Sequence, residues 1–331
     1  MKLSTKTNPL SYQSSKVVFE KFSLKTRERI ERQIPSLRKL NDLIPYKLKS
    51  VELSKRSLIV EERSWQVTLD WERAEQMNAR PDENQAVIEF QSGLQLSREV
   101  VDENPDKVLE KLVNMYLRNG THIEKFNMEG FPEFWRNKNP EEFKLRIEEL
   151  VICAPLGDIP HFSPFVENKM KKITVTFFSD FAMLQDPLIK SCEEVRLVFR
   201  EHGEPPLNDH LLNLKQKSVK IEYRGIPTET IQELVEDWKN KTRPMGTAVF
   251  LSMIDNLQPV DVFDHCELNL GAVKSKMPSV GDSIFANCVA MPINEESELV
   301  VHWVPRDEES AGWVQSYLTL EVMPRGSTVP K

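Results

Sequence analysis

Glycine is scarce in this chain, with 11 among 331 residues, and that scarcity removes whole classes of chemistry. Backbone cradles for phosphate depend on glycine-rich turns. There is no Gly-x-Gly-x-x-Gly, no Gly-x-x-x-x-Gly-Lys-Ser/Thr loop and no Gly-x-Ser-x-Gly elbow, so dinucleotide-binding, P-loop and α/β-hydrolase signatures are all missing. Cysteine is equally thin: Cys153, Cys192, Cys266 and Cys288 lie far apart with no Cys-x-x-Cys pair. Such cysteines read as small buried hydrophobes in a reducing compartment rather than as a disulfide framework. No run approaches the roughly 18 apolar residues that a membrane span needs. The opening Met1-Lys2-Leu3-Ser4-Thr5-Lys6 has no apolar core of a secretory signal. The expectation is a cytoplasmic or nuclear protein with no membrane partner, in which the sequons at Asn119 and Asn240 are coincidental.

Reactive constellations are missing too. The six histidines are scattered, and His265-Cys266 has no second pair at zinc-finger spacing, so no metal is expected. Gly281-Asp282-Ser283 resembles a hydrolase nucleophile turn over only three residues, and an ordinary turn is the better account of those residue types. A serine hydrolase built on Ser283 is the remote alternative. Glu148-Glu149 and Glu193-Glu194 are most simply solvated, and no carboxylate pair stands out for acid–base work. No catalytic residue, cofactor or metal site is assigned, and enzyme activity is not expected.

What the chain does have is a recurring phrase of two apolar residues around one spacer. It reads Phe126-Asn127-Met128, Leu150-Val151-Ile152, Ile173-Thr174-Val175, Val195-Arg196-Leu197 and Val219-Lys220-Ile221. Successive phrases are 24, 23, 22 and 24 residues apart. Alternation of this kind predicts a short half-buried strand. The spacing suits one strand plus a helical or irregular return, as in leucine-rich-repeat-type stacks whose units bury their apolar faces only against neighbours. Ile123, Ile147 and Cys192 precede three of the phrases at one shared offset. Leu48, Val51 and Leu53 repeat the grammar of Ile147, Leu150 and Ile152, so an early strand of the same stack is expected there.

Elsewhere, 58–60, 65–71 and 86–90 read as strands, with Trp65, Val67, Leu69 and Trp71 alternating onto one buried face. Residues 72–84 are polar and read as a loop. Val108, Leu109, Leu112, Val113, Tyr116 and Leu117 form a helical stripe that starts at about Pro105 and stops at Asn119-Gly120. A second helix opens at Pro227-Thr228 and carries Ile231, Leu234, Val235 and Trp238; a strand over 247–253 follows. The segment 255–282 has no clear pattern. Residues 298–304 and 315–322 read as paired strands across a charged connection, Pro305 to Gly312, that is long for a hairpin.

Charge is unevenly placed. Residues 1–56 hold 14 Lys and Arg against 5 Asp and Glu, a net of +9, on a remainder of 30 against 46, a net of −16. The basic part is also helical: Ser11 and Ser23 are N-cap candidates, Val18, Phe19 and Phe22 recur at helical spacing, and Pro35 and Pro45 end successive short helices, the third capped by Ser36. Two or three helices in about 40 residues cannot hold a core of their own, so they must dock on something. An acidic protein partner is one solution and the chain's own repeats are the other. Nucleic acid is disfavoured, because the acidic body repels phosphate.

Together these pieces resemble the nematode-expanded F-box C-type proteins, which carry a degenerate F-box followed by a domain of unknown function. The likeness rests on Pro9-Leu10-Ser11-Tyr12, Val17-Val18-Phe19-Glu20-Lys21-Phe22, Ile34-Pro35-Ser36-Leu37 and Ile44-Pro45-Tyr46-Lys47-Leu48. It extends through Arg243-Pro244-Met245-Gly246-Thr247, Glu298-Leu299-Val300-Val301-His302 and Leu320-Glu321-Val322-Met323-Pro324. The resemblance implies that residues 9–46 dock onto the acidic adaptor of a cullin-type (SCF-like) ubiquitin ligase through Leu10, Val18, Phe19, Phe22 and Leu24. The rest of the chain would then select an unknown protein substrate. Two departures stand out: Pro9-Leu10 replaces the usual Leu-Pro start, and Pro45 falls where a longer third helix would end near a tryptophan. The runner-up is a scaffold that no longer binds the adaptor. The expected fold is α/β: a leucine-rich-repeat-like stack of strand–helix units over 47–253, a small helical unit over 9–46, and a β-containing C-terminal extension over 254–326.

Overall fold

The computed structural model describes residues 12–71, 75, 80–153, 159–177, 185–199, 214–223, 226–241, 243–253, 259–278, 286–312 and 314–331. The architecture is mixed α/β, as the alternation and spacing predict. The chain divides into two compact units. One comprises residues 1–149 with 164–168, the other 150–163 with 169–331.

The first unit opens with α1 (Tyr12–Glu20), α2 (Leu24–Gln33) and α3 (Arg38–Asp42). Ser23 caps α2 as expected, its hydroxyl accepting from the Thr26 amide at 3.3 Å. The proposed cap at Ser36 is corrected: Ser36 sits inside a 3-10 turn, Pro35–Leu37, that leads into α3 without a side-chain cap. Proline at the first position suits such a turn because its missing N–H has no partner to lose. Ser11 lies outside the described residues.

Strands β1 (Lys47–Leu53), β2 (Ser57–Val60), β3 (Arg63–Leu69), β4 (Ala86–Ser92), β5 (Gln95–Val101), β6 (Thr121–Met128) and β7 (Leu145–Ile152) follow. Their order is β7-β6-β1-β2-β3-β4-β5. β1 and β6 run parallel, Val51 beside Phe126 and Leu53 beside Met128, so the early strand expected from its grammar does join the stack. The three-residue offset also finds its reason. Leu48 and Val51, Ile123 and Phe126, and Ile147 and Leu150 are all buried, with polar pairs such as Glu124-Lys125 between them. The β1–β6 register is the same on either side of these polar residues, so neighbouring strands share the three-residue offset.

Helix α4 (Pro105–Tyr116) packs on β2, β3 and β4. Val108, Leu109, Val113 and Tyr116 are buried, and Asn104 caps its start. One strand expectation is corrected. Trp71 lies beyond the end of β3 and is 58% exposed, so the buried alternation stops with Trp65 and Val67. β5 was not anticipated, because its residues are almost all exposed and carry no alternation of polarity. The loop expected over 72–84 lies partly outside the described residues. Trp135, on the short helix α5 (Glu133–Arg136), is fully buried among Phe126, Phe131, Phe143 and Phe165, at centroid distances of 5.9–6.4 Å.

In the second unit β8 (Lys172–Phe177), β9 (Glu194–Phe199), β10 (Ser218–Glu222) and β11 (Ala248–Met253) are parallel neighbours. They are the last three repeat phrases and the strand expected after them. The fold then turns antiparallel through β15 (Ser316–Pro324), β14 (Ser297–Pro305), β13 (Asn287–Pro292), β12 (Val273–Lys276) and β16 (Val329–Pro330). The expected pairing of the two C-terminal strands holds over nine residues, from Ser297 beside Pro324 to Pro305 beside Ser316. Helix α8 (Thr228–Asn240) buries Ile231, Leu234, Val235 and Trp238, the predicted stripe. It packs against α9 (Pro259–Leu270), which falls in the segment that had no clear pattern. The short helices α6 (Ile159–Phe162) and α7 (Pro187–Ser191) lie in the returns.

Candidate functional site

Two regions concentrate polar and exposed side chains, one in each unit. In the first unit the N-terminal helices are fastened by Arg27, whose side chain is 1% exposed. Its Nε donates to Asn41 Oδ1 at 2.7 Å, its Nη2 to the carbonyls of Asn41 and Ile44 at 3.0 and 2.6 Å, and its Nη1 to that of Pro45 at 2.9 Å. The guanidinium also stacks over the Tyr46 ring at 4.1 Å. These carbonyls lie in the last turn of α3 and just past it, where acceptors are left without helical partners. Arg118 adds a further donor to the Asn41 carbonyl at 2.6 Å. Glu28, on α2, reaches Arg63 at 2.5 Å and the Tyr116 hydroxyl at 3.5 Å, while burial pushes its carboxyl above the ordinary range. The helices that cannot stand alone thus dock on β3 and α4 of their own chain.

The five candidate adaptor residues separate accordingly. Leu10 lies outside the described residues. Phe19 and Leu24 are buried, at 5% and 1% exposure; Phe22 is half-buried and meets Phe19 edge-on at 5.8 Å; Val18 is exposed. Its neighbour Val17 is 56% exposed. Phe19 and Leu24 hold the unit in place; on α1 the Val17–Val18 edge looks outward with Phe22 at its margin, and Ile34 and Leu43 are exposed further along the unit.

The second region was not anticipated, although it stands on the repeat itself. The spacer residues of the last three phrases are Thr174, Arg196 and Lys220, and the parallel register sets them side by side, with Phe250 next in the row. Lys172 lies two residues before Thr174 on the same face. The apolar residues flanking each spacer turn the other way into the core. The connection between β14 and β15 lies over this face: Lys172 pairs with Glu309, Lys220 with Asp307, and Arg196 Nη2 donates to the Glu309 carbonyl. A cavity of about 280 Å³ remains among these side chains, bounded also by Phe250 and Tyr317.

Beneath the loop is a fully buried carboxylate, Glu222. Arg196 grips it with two bonds of 2.8 and 3.0 Å, the Tyr317 hydroxyl donates at 2.7 Å, and the Ala311 amide donates at 3.1 Å. Four donors offset the desolvation that would make a lone buried carboxylate untenable. Burial works to lower the Arg196 pKa, but its bonds to Glu222 outweigh this and raise it. Burial and the donated bond to Glu222 raise the Tyr317 hydroxyl, so it stays protonated as a donor. Partial burial opposes ionisation of Asp307, yet hydrogen bonds from Lys220 and Ser310 prevail and hold its carboxyl down at about 2.

The signal for this row was in the phrases themselves, where two successive spacers are Arg196 and Lys220, 24 residues apart. The charged connection after Pro305 is its complement. The remaining candidates do not come together. Ser283 lies outside the described residues. His265 contacts Glu236 at 3.1 Å on an exposed face while Cys266 is buried. Among the described residues no group of three or more His, Cys, Asp or Glu is placed to hold a metal ion, and no helix is long and apolar enough to cross a membrane.

Residues 104–255 match a family model described as Domain of unknown function (DUF3557). That span takes in β6 to β11 and every cation of the row, while the acidic loop falls outside it. No curated protein and no solved structure matches the chain.

Proposed function

We propose that this chain is a non-catalytic protein-interaction subunit, the substrate-recognition component of a cullin-type ubiquitin ligase. The observation that carries the reading is the division of labour in the N-terminal helices. Arg27, Phe19 and Leu24 fix them to their own unit, which leaves Val17 and Val18 on the outer edge of α1 in a basic setting. An exposed apolar pair on a rigidly held helix is suited to a protein partner. The likeness of residues 9–48 to the F-box C-type proteins supports the acidic ligase adaptor as that partner. The parallel stack then serves as the platform for a substrate. The burial of Phe19 and Leu24 favours the second reading, a scaffold of the same build without adaptor contact, since it removes two of the five candidate contacts.

The test is binding of the full-length chain to purified adaptor, beside a Val17→Asp/Val18→Asp variant. Both positions are exposed, so the fold tolerates the change, and the first reading predicts a loss of binding of at least tenfold. Absence of binding by the unaltered chain leaves the second.

A further inference from the structure

We propose that the row formed by Lys172, Arg196 and Lys220 is a binding site for an acidic peptide segment carrying two carboxylates two residues apart, and that the loop 306–312 occupies it as a built-in competitor. The inference rests on the substrate-recognition reading only in supplying a use for the site; it requires no adaptor.

Three features identify the ligand class. The loop is itself such a peptide: a turn closed by the Ser310 amide on the Asp307 carbonyl at 3.2 Å brings Asp307 and Glu309 down onto Lys220 and Lys172. Arg196 divides its donors between the buried Glu222 and the carbonyl of Glu309, so the site reads peptide backbone as well as side-chain charge. A free inorganic anion offers no such carbonyl. Finally, the charges are asymmetric in cover. Lys172 and Lys220 have side chains 22% and 20% exposed, against 51% and 50% for Glu309 and Asp307. The cations are built into strands, whereas the two acids ride on a surface connection and their ion pairs are solvent-screened, its firmer anchor being the Ala311 amide on Glu222. Withdrawing the loop's two carboxylates leaves Glu222 opposite three cations, and that surplus positive charge is what an incoming acidic segment would neutralise. The row lies within the residues that match the family model and the loop outside them, while both belong to one compact unit.

The experiment measures binding of a fluorescein-labelled peptide, Arg-Asp-Glu-Glu-Ser-Ala-Gly, which repeats residues 306–312. It is titrated into the full chain, into Asp307→Asn/Glu309→Gln, and into that variant with Lys172→Gln/Lys220→Gln added. Near-isosteric amides weaken the internal competitor without leaving cavities. The expected result is affinity about tenfold higher for the loop variant, as two screened ion pairs imply, with the gain abolished by the lysine changes and reduced by salt. Equal affinity for the first two proteins overturns the proposal. So does a gain that survives the lysine changes, or displacement of the peptide by inorganic phosphate at equal concentration. Adaptor binding by the same loop variant is measured in parallel. A failure of the peptide arm with adaptor binding intact refutes this site alone.

Discussion

Replacing Arg27 by alanine removes the fastening of the N-terminal helices and tests the packing argument most sharply. Four acceptors lose an Arg27 donor: Asn41 Oδ1 and the carbonyls of Asn41, Ile44 and Pro45. Bonds to a charged donor are each worth roughly 1.5–3 kcal/mol. The gross loss is offset by the cost of burying a guanidinium, visible in the lowered Arg27 pKa. Arg118 still serves the Asn41 carbonyl, so one acceptor is spared. A net cost of about 3–5 kcal/mol results, the range for breaking a buried charged network. Because the helices form a peripheral part of their unit, the loss is expected as local opening rather than global unfolding. Amide exchange in α2 and α3 should then accelerate by about two to four decades, while exchange in β6 and β7 changes little. Arg27→Lys keeps the charge but cannot reach three carbonyls at once, and should recover less than half of the loss. Exchange in Arg27→Ala within threefold of the unaltered protein refutes the assignment of Arg27 as the fastener.

Glu222→Gln keeps the shape but leaves Arg196 beside a neutral group, and is expected to cost about 3 kcal/mol in urea unfolding; a change below about 1 kcal/mol contradicts the buried network. Asp307 has a folded pKa of about 2, below its ordinary value of 3.8, so its contribution is present above about pH 4 and fades as pH falls through 2. Since its side chain is half exposed, screening limits that contribution to about 1 kcal/mol, and Asp307→Asn should flatten the stability profile over this window; an unchanged profile contradicts the clamp. Burial pushes the thiols of Cys192 and Cys266 up to about 12 and that of Cys288 up to about 11, so iodoacetamide at pH 8 should modify Cys153 alone in the native protein. Modification of two or more of the four refutes the packing described.

Much of the fold was legible because period and spacing are packing signals. The five phrases all became strands, Leu48–Val51–Leu53 joined them in parallel register, and the stripe of Ile231, Leu234, Val235 and Trp238 became a buried helix face. β5 was missed because an exposed edge strand buries nothing and so needs no alternation. Trp71 misled because alternation continues in the letters after the strand has ended. The candidate sites were legible only in part. Val18, Phe19, Phe22 and Leu24 share a helical pattern, but that pattern cannot say which residues meet the chain's own core and which face outward. The cation row depends on which strands lie side by side. Arg196, Lys220 and Asp307 acquire their meaning only once β9 and β10 are neighbours and the β14–β15 connection crosses them.

The central claim is that α1 is held by its own unit and offers its Val17–Val18 edge to a ligase adaptor. Amide exchange of the full chain, alone and with saturating purified adaptor, tests it directly. The expected result is slowed exchange confined to residues 12–22, with β8 to β11 unaffected. Unchanged exchange across α1, or protection centred on the parallel strands instead, contradicts it.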